Sequence, residues 1–421
     1  MPVIETQIQK REVMPFLCRR EEEGGLGYRE TQANVVTPDL FIPMHLEEFI
    51  SNASPMAWKA LVRKYKNDKK KLLRALIDEI KKRMLDASNA ATFLNKNRSI
   101  TFEGENLQLF YVSGTEISGD KDFKKNIFAA VEEMSHNIVC DGMTLEKLRS
   151  DISFFVNGIF LGYLELKSAT NGQTASSHGR GKIIGDYLQC VKNIASREQL
   201  NPEAGKERKS ALFMFEKAVH LVATDINETY VLRNIAQYYD DAHRGFCDNS
   251  ITISSFRPTM EKMFKIYPVS SALLSQKQRF EEVMRALYSK KMIEREILYY
   301  NFIQYKYVGK ANQRERTSNR GYLISPRPKQ KFGCDKIMAR LREMLEHEKD
   351  PNFYLNKLRK QLHDLSVPGD KIEEIVSQRD HYCNNKYVYS LLMQYAAGFG
   401  KSNIIGWAAL QLKDLRHDGE W

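Results

Sequence analysis

The sequence predicts an α/β chain of two parts, and three observations carry that expectation. Two apolar runs rich in β-branched and aromatic residues, Ile152 to Val156 and Ile159 to Leu166, meet at Asn157-Gly158, a pair that tolerates the positive φ of a tight turn. Elsewhere apolar residues recur at helical spacing, as in Leu61, Leu72, Leu73, Leu76, Ile77 and Ile80, and again from Phe280 through Leu287 toward Leu298. Near the end an apolar run from Leu391 feeds a glycine loop closing on Gly400-Lys401-Ser402, after which Ile404, Ile405, Ala408, Leu412 and Leu415 keep helical spacing. A chain of 421 residues can bury at least one large core and is more naturally two domains than one. The pattern breaks around Pro258 and Pro268, which places the boundary between 1–265 and 266–421.

Composition narrows the classes of partner. Hydrophobic content of 42% and charged content of 28% are those of an ordinary water-exposed protein. A net charge of +11 and a pI near 9.1 point to a polyanionic partner. No run of about 18 apolar residues appears and the N-terminus lacks a signal-peptide core, so a cytoplasmic protein without membrane contact is expected. The six cysteines are scattered without a C-x-x-C pair, which argues for reduced, structural thiols.

Taken in order, Glu5 to Glu23 reads as a charged helix ending at Gly24-Gly25, and residues 56–86 as basic helix. Leu107 to Val112 reads as a strand, and Asn126 to Val139 carries helix and strand signals alike. A polar, glycine-containing loop follows Lys167 and leads into a helix from about Lys182. Leu212 to Phe215 and Ala218 to Ala223 read as further strands. His178 is expected exposed and His220 in the core. From Lys306 to Lys331 eight basic residues stand against the single acid Glu315, marking a nucleic-acid patch that includes Arg314, Arg316 and Arg320.

The hairpin carries the first chemical signal. An ionised carboxylate among buried strands is costly unless a cation or hydrogen bonds compensate it, so Asp151, Glu165 and Lys167 need a reason to be there. Residues two apart on a strand share a face, which sends Glu165 and Lys167 into one pocket, the geometry of E-x-K nucleases. Asp151, Glu165 and the Leu166 carbonyl are hard oxygen donors suited to magnesium, and Lys167 would orient or deprotonate the attacking water. The competing account is a structural ion pair at a strand end. The same tripeptide pattern recurs at Asp68, Glu79, Asp122 and Glu207, but only Glu165 lies in an apolar strand. Arg180 and Lys182 stand near a helix start, where they would meet a phosphate; Tyr187 and Gln189 are placed in the same pocket, and an ordinary amphipathic helix explains those two equally well.

Register decides whether the carboxylates can work together. A simple two-residue turn puts Asp151 opposite Leu164, facing away from Glu165. A working site therefore needs one irregularity, either a three-residue loop with Gly158 left-handed or a bulge near Gly162.

The second signal is the strand, glycine loop and helix around Gly398, Gly400, Lys401 and Ser402, the context of a P-loop: main-chain N–H groups cradle phosphates, Lys401 reaches the terminal ones, and Ser402 ligates magnesium alongside nucleotide. Tyr395 stands where that motif has its first glycine.

The order of these motifs resembles the N-terminal part of the endonuclease (R) subunit of type I restriction enzymes. Arg149-Ser150-Asp151, Asn157-Gly158 and Glu165-Leu166-Lys167 match the family's nuclease motifs, with Ser150 in place of proline. Asn171-Gly172-Gln173-Thr174, Ser325 to Gln330 and Tyr395 to Ser402 match later ones, whereas Asp186-Tyr187 stands where Gln-Tyr is expected. The resemblance implies a restriction-endonuclease-like PD-(D/E)xK domain, a helical connector and the truncated start of a helicase-type P-loop ATPase domain, with Gln330 against adenine. It implies a type I site-specific deoxyribonuclease that uses Mg2+ and, in the complete enzyme, ATP. Double-stranded DNA and the specificity and methylation subunits would be its partners. With only the start of the motor, ATP hydrolysis and translocation are not expected of this chain. Rival readings are a non-catalytic DNA-binding remnant, or a P-loop ATPase with a structural acidic hairpin.

Overall fold

Alternation of β-branched and aromatic residues over long stretches dictates that the first two-thirds of the chain is built on a sheet. The computed structural model describes residues 9–113, 122–168, 172–225, 227–262, 264–271, 273–304, 307–308, 315–316, 322–383, 392–395 and 400–412. Its first nine strands in chain order are β1 (Arg29–Thr31), β2 (Ser99–Phe102), β3 (Glu105–Gln108), β4 (Phe128–Cys140), β5 (Met143–Val156), β6 (Ile159–Leu166), β7 (His220–Thr224), β8 (Thr229–Leu232) and β9 (Lys265–Ile266), and two short pairs follow, Phe302–Gln304 with Tyr322–Ile324 and Tyr307–Val308 with Glu315–Arg316. Seven of them form one mixed sheet in the order β1-β4-β5-β6-β7-β8-β9, while β2 and β3 pair only with each other. The ambiguous stretch at 126–139 is thus strand, and the strand expected at 107–112 ends at Gln108.

The helices around this sheet are α1 (Met14–Cys18), α2 (Pro43–Ala53), α3 (Pro55–Lys64), α4 (Lys69–Asp86), α5 (Ala90–Lys96), α6 (Arg180–Leu200), α7 (Tyr239–Cys247), α8 (Ile253–Glu261), α9 (Gln276–Tyr288) and α10 (Lys290–Leu298). The basic stretch 56–86 splits into α3 and α4 because Lys66 and Asn67 both adopt positive φ and Asp68 then caps α4, its carboxylate accepting from the Lys71 N–H at 3.0 Å. Leu212 to Phe215 is not a strand. It enters a helical turn, Phe213–Glu216, in which the Glu216 N–H donates to the Leu212 carbonyl; a short apolar run alone cannot separate a buried turn from a buried strand.

Antiparallel β5 and β6 form the hairpin, and α6 carries the chain from β6 to β7, which lies parallel to β6. Every residue of β6 is buried, so both faces of the sheet are covered. On one face α6 packs through Tyr187, whose ring meets Phe215 edge-on, and Phe215 meets Tyr163 in the same way. On the other, Phe154 stacks on Tyr288 of α9 with ring centroids 3.8 Å apart. His220 meets Tyr288 on that side, buried as expected.

This packing moves the domain boundary. The chain divides into 1–325 and 326–421, not at 265, because α9 and α10 complete the first unit: the Tyr28 hydroxyl donates to the Tyr288 carbonyl at 2.7 Å and Phe280 meets Phe16 edge-on. The second unit holds α11 (Pro328–Lys349), α12 (Phe353–Asp364), α13 (Gly369–Cys383) and α14 (Lys401–Leu412). Residues 392–395, expected as a strand, are not one; the unit's described elements are all helices, which leaves no ladder partner. No helix among the described residues is long and apolar enough to cross a membrane, and the described cysteines are free thiols.

Candidate active site

The turn at the tip of the hairpin has two residues, Asn157 and Gly158, both at positive φ, and Val156 pairs with Ile159. Taken alone that register would separate Asp151 from Glu165. Between Phe160 and Gly162 one residue is inserted, so Phe155 pairs with Phe160 but Phe154 pairs with Gly162, and Ile152 faces Leu164. The bulge is the one expected near Gly162, and the three-residue loop is not formed. Glycine is required there: a Cβ on Gly162 would lie 2.2 Å from the His220 carbonyl oxygen on β7.

Continuing this register puts Asp151 across from Glu165 on the face beneath α6. One Asp151 oxygen accepts from the Leu166 N–H at 2.6 Å. Lys167 Nζ lies 2.6 Å from Glu165 Oε1 and 3.0 Å from the Leu166 carbonyl oxygen. Lys182, from the first turn of α6, reaches Glu165 Oε2 at 2.6 Å and the Arg149 carbonyl at 2.9 Å. Burial and the nearby charge of Glu165 push the Asp151 carboxyl up to about 7, against the pull of the Leu166 N–H, Lys182 and Lys167.

Asp186 is the acid that the sequence reasoning passed over. Burial and Glu165 raise its carboxyl to about 6, while Lys182 and Lys167 oppose the rise. Its spacing of four from Lys182 on one helix was the signal that could have found it.

Other expected contacts are redistributed. Tyr187 is fully buried against Phe215, where it cannot meet DNA, because α6 turns that face onto the sheet. Lys182 is drawn into the carboxylate cluster. Arg180 stacks its guanidinium over Tyr230, and Gln189 donates to the Asn193 side chain. His178 is exposed as expected. Arg314 and Arg320 lie outside the described residues, Arg316 sits in a two-residue strand, and Lys331 of the basic run is buried. Glu12 is exposed, and Glu5 lies outside the described residues.

Among the described residues no three His, Cys, Asp or Glu side chains converge as a metal cluster. The donor set offered here is two carboxylates and the Leu166 carbonyl, all hard oxygens of the kind magnesium prefers. A cation binding there would replace an ammonium group on Glu165, since both its oxygens are already paired.

In the second unit α14 begins at Lys401, whose Nζ donates to the Tyr395 carbonyl at 3.0 Å, and Ser402 is exposed in the same turn. A Cβ on Gly400 would come 2.6 Å from Gln330 Nε2, so Gln330 and the end of the glycine loop are neighbours. Gln330 Oε1 accepts from the Arg327 N–H at 2.7 Å. Gly398 lies outside the described residues.

No curated protein matches the chain. The segment from Gly25 to Lys182, which contains α2 to the first turn of α6 and all of Asp151, Glu165, Lys167 and Lys182, matches the family model described as type I restriction enzyme R protein N terminus (HSDR_N). Over residues 25–182 the chain is therefore similar to the N-termini of type I restriction enzyme R proteins.

Proposed function

We propose that this chain is the DNA-cleaving component of a type I restriction-modification system, a PD-(D/E)xK endonuclease that hydrolyses phosphodiester bonds in double-stranded DNA. The observation that carries the reading is the Gly162 bulge, which sets Asp151 and Glu165 opposite each other on the face that also bears Lys167. Asp151, Glu165 and the Leu166 carbonyl would hold Mg2+, which when bound supplies Lewis-acid stabilisation of the charge that builds on the phosphate. Lys167 is placed to hold the attacking water, and the Leu166 N–H fixes the Asp151 carboxylate. Arg180 and Gln189, together with Arg314, Arg316 and Arg320, are candidates for contact with the DNA backbone. The family match over residues 25–182 supports action in a cytoplasmic complex with specificity and methylation subunits.

Gly398, Gly400, Lys401 and Ser402 would bind ATP with Gln330 against the adenine, a reading supported by the closeness of Gln330 to Gly400. A second reading of the hairpin has its own support: with both Glu165 oxygens paired to lysines, the cluster is also a buried ion-pair network. One experiment separates them. In the assembled enzyme, Asp151→Ala, Glu165→Ala and Lys167→Ala should each abolish Mg2+-dependent DNA cleavage and leave circular dichroism unchanged. Unchanged cleavage in Glu165→Ala would leave only the structural role.

A further inference from the structure

At the turn end of the sheet, away from the hairpin carboxylates, the first unit contains a cavity of about 620 Å3 that the cleavage reaction does not use. Its cationic lining is Arg20, Lys124, Arg285, Lys290 and Lys291. Against these stand Glu21 and Glu22 in the lining and, behind it, Glu281 3.4 Å from Arg285 and Glu294 3.9 Å from Lys291. Three of the cations are held in place. Arg285 lies over the Phe16 ring at 4.9 Å, Lys291 over Phe123 at 4.8 Å, and Lys290 pairs with Glu21 at 3.0 Å. Arg20 and Lys124 are exposed and form no ion pair among the described residues. Gly25 and Gly27 form part of the wall, so main chain borders the space directly.

Positive charge gathered in a concavity costs self-repulsion, which a bound anion relieves. We propose that this cavity is a phosphate site that takes the oligophosphate of a nucleotide-sized molecule. The volume falls in the range of small-molecule pockets, about 300–1,000 Å3. With Arg285, Lys290 and Lys291 each beside a carboxylate, the charge left for a ligand is that of Arg20 and Lys124, which suits a dianionic phosphate group. A cavity of this volume seats a nucleotide-sized ligand whole, whereas a nucleic-acid backbone would only run across it.

The test uses the full chain carrying Lys401→Ala, which removes the candidate phosphate site of the second unit, and titrates it calorimetrically with pyrophosphate and ADP. Saturable binding with Kd near or below about 0.1 mM, weakened at least tenfold by Lys124→Ala and by Arg20→Ala, is the expected result. Those side chains are exposed and make no ion pair among the described residues, so the variants should fold; equal melting temperatures check that. Removing two lysines elsewhere, Lys59→Ala with Lys82→Ala, should leave Kd within twofold. The proposal is overturned by absence of binding, by an equal loss in that control, or by a single-stranded oligonucleotide that displaces pyrophosphate at lower concentration than ADP does.

Discussion

Asn157 turns the hairpin and also ties it to the rest of the sheet. Its Oδ1 accepts from the Ile127 N–H at 2.7 Å, and its Nδ2 donates to the Leu109 carbonyl at 2.8 Å and to Asn126 Oδ1 at 2.9 Å, all without solvent. Asn157→Ala strands a buried N–H and a buried carbonyl, and should cost about 3 kcal/mol in urea unfolding, since each unsatisfied group costs about 1–3 kcal/mol. The turn was legible because Asn-Gly is a local signal; the network was not, since its partners lie 30 and more residues away. Glu165 was legible for the opposite reason, as an acid in an apolar strand that nothing nearby excuses. His136, on β4, gives a pH dependence. Burial, and then Lys81, push its folded pKa from 6.5 down to about 4, with Asp39 opposing. As pH falls below 6.5 the unfolded chain takes the proton first. The stability contributed by the neutral ring is therefore complete above 6.5 and lost between there and about 4, at up to about 1.4 kcal/mol per pH unit. His136→Gln should flatten that part of the stability curve in denaturant titrations at pH 4 to 7, and an unchanged slope would remove His136 as its source.

At the scale of elements, the bulge connects local chemistry to the site. A methyl group on Gly162 meets the His220 carbonyl oxygen at 2.2 Å, so Gly162→Ala must push β6 from β7 or expel the inserted residue from the hairpin. The first route should cost about 2 kcal/mol or more, as overpacking does. The second restores simple pairing and turns Asp151 away from Glu165. Either way the variant should lose Mg2+-dependent cleavage while keeping DNA affinity, and cleavage at the parent rate would break the link between bulge and site. Parity made this irregularity legible: two acids meant for one face demanded an odd insertion. Its position was left open because glycines at 158 and 162 both permit it, and packing against β7 decided between them. Leu212 to Phe215 failed as a strand for lack of length, and β4 was ambiguous because alternating burial is clear only toward its outer end.

Across the whole molecule, length and the two Pro-broken segments suggested two parts, but the first unit runs past 265 because Phe280 buries its ring against Phe16 of α1 and Tyr288 against Phe154 of the sheet, a long-range fit that periodicity cannot show. Net charge was legible from composition, while its placement needed the fold. On α3, α4 and the turn between them, Lys59, Arg63, Lys66, Lys70, Lys71 and Arg74 are exposed, and Lys69, Lys70 and Lys71 occupy the first turn of α4. Cations there oppose the helix dipole and repel one another, at about 0.3–1 kcal/mol each. Two neighbours, Lys64 and Lys69, are offset by ion pairs with Glu103 and Glu47, whereas Lys70 and Lys71 form none among the described residues. Phosphates would relieve this repulsion, releasing counterions as they bind. Affinity for nonspecific duplex DNA should then fall steeply with salt, by about 10³ between 50 and 200 mM if six phosphates are contacted. Replacing Lys66, Lys70 and Lys71 with alanine should lower the slope of log K against log salt by about one per lysine, equally for every sequence tested. Glu165→Ala, which removes a buried carboxylate of the proposed cleavage site, should leave that slope unchanged. A slope that survives the triple substitution would move the DNA path off α4.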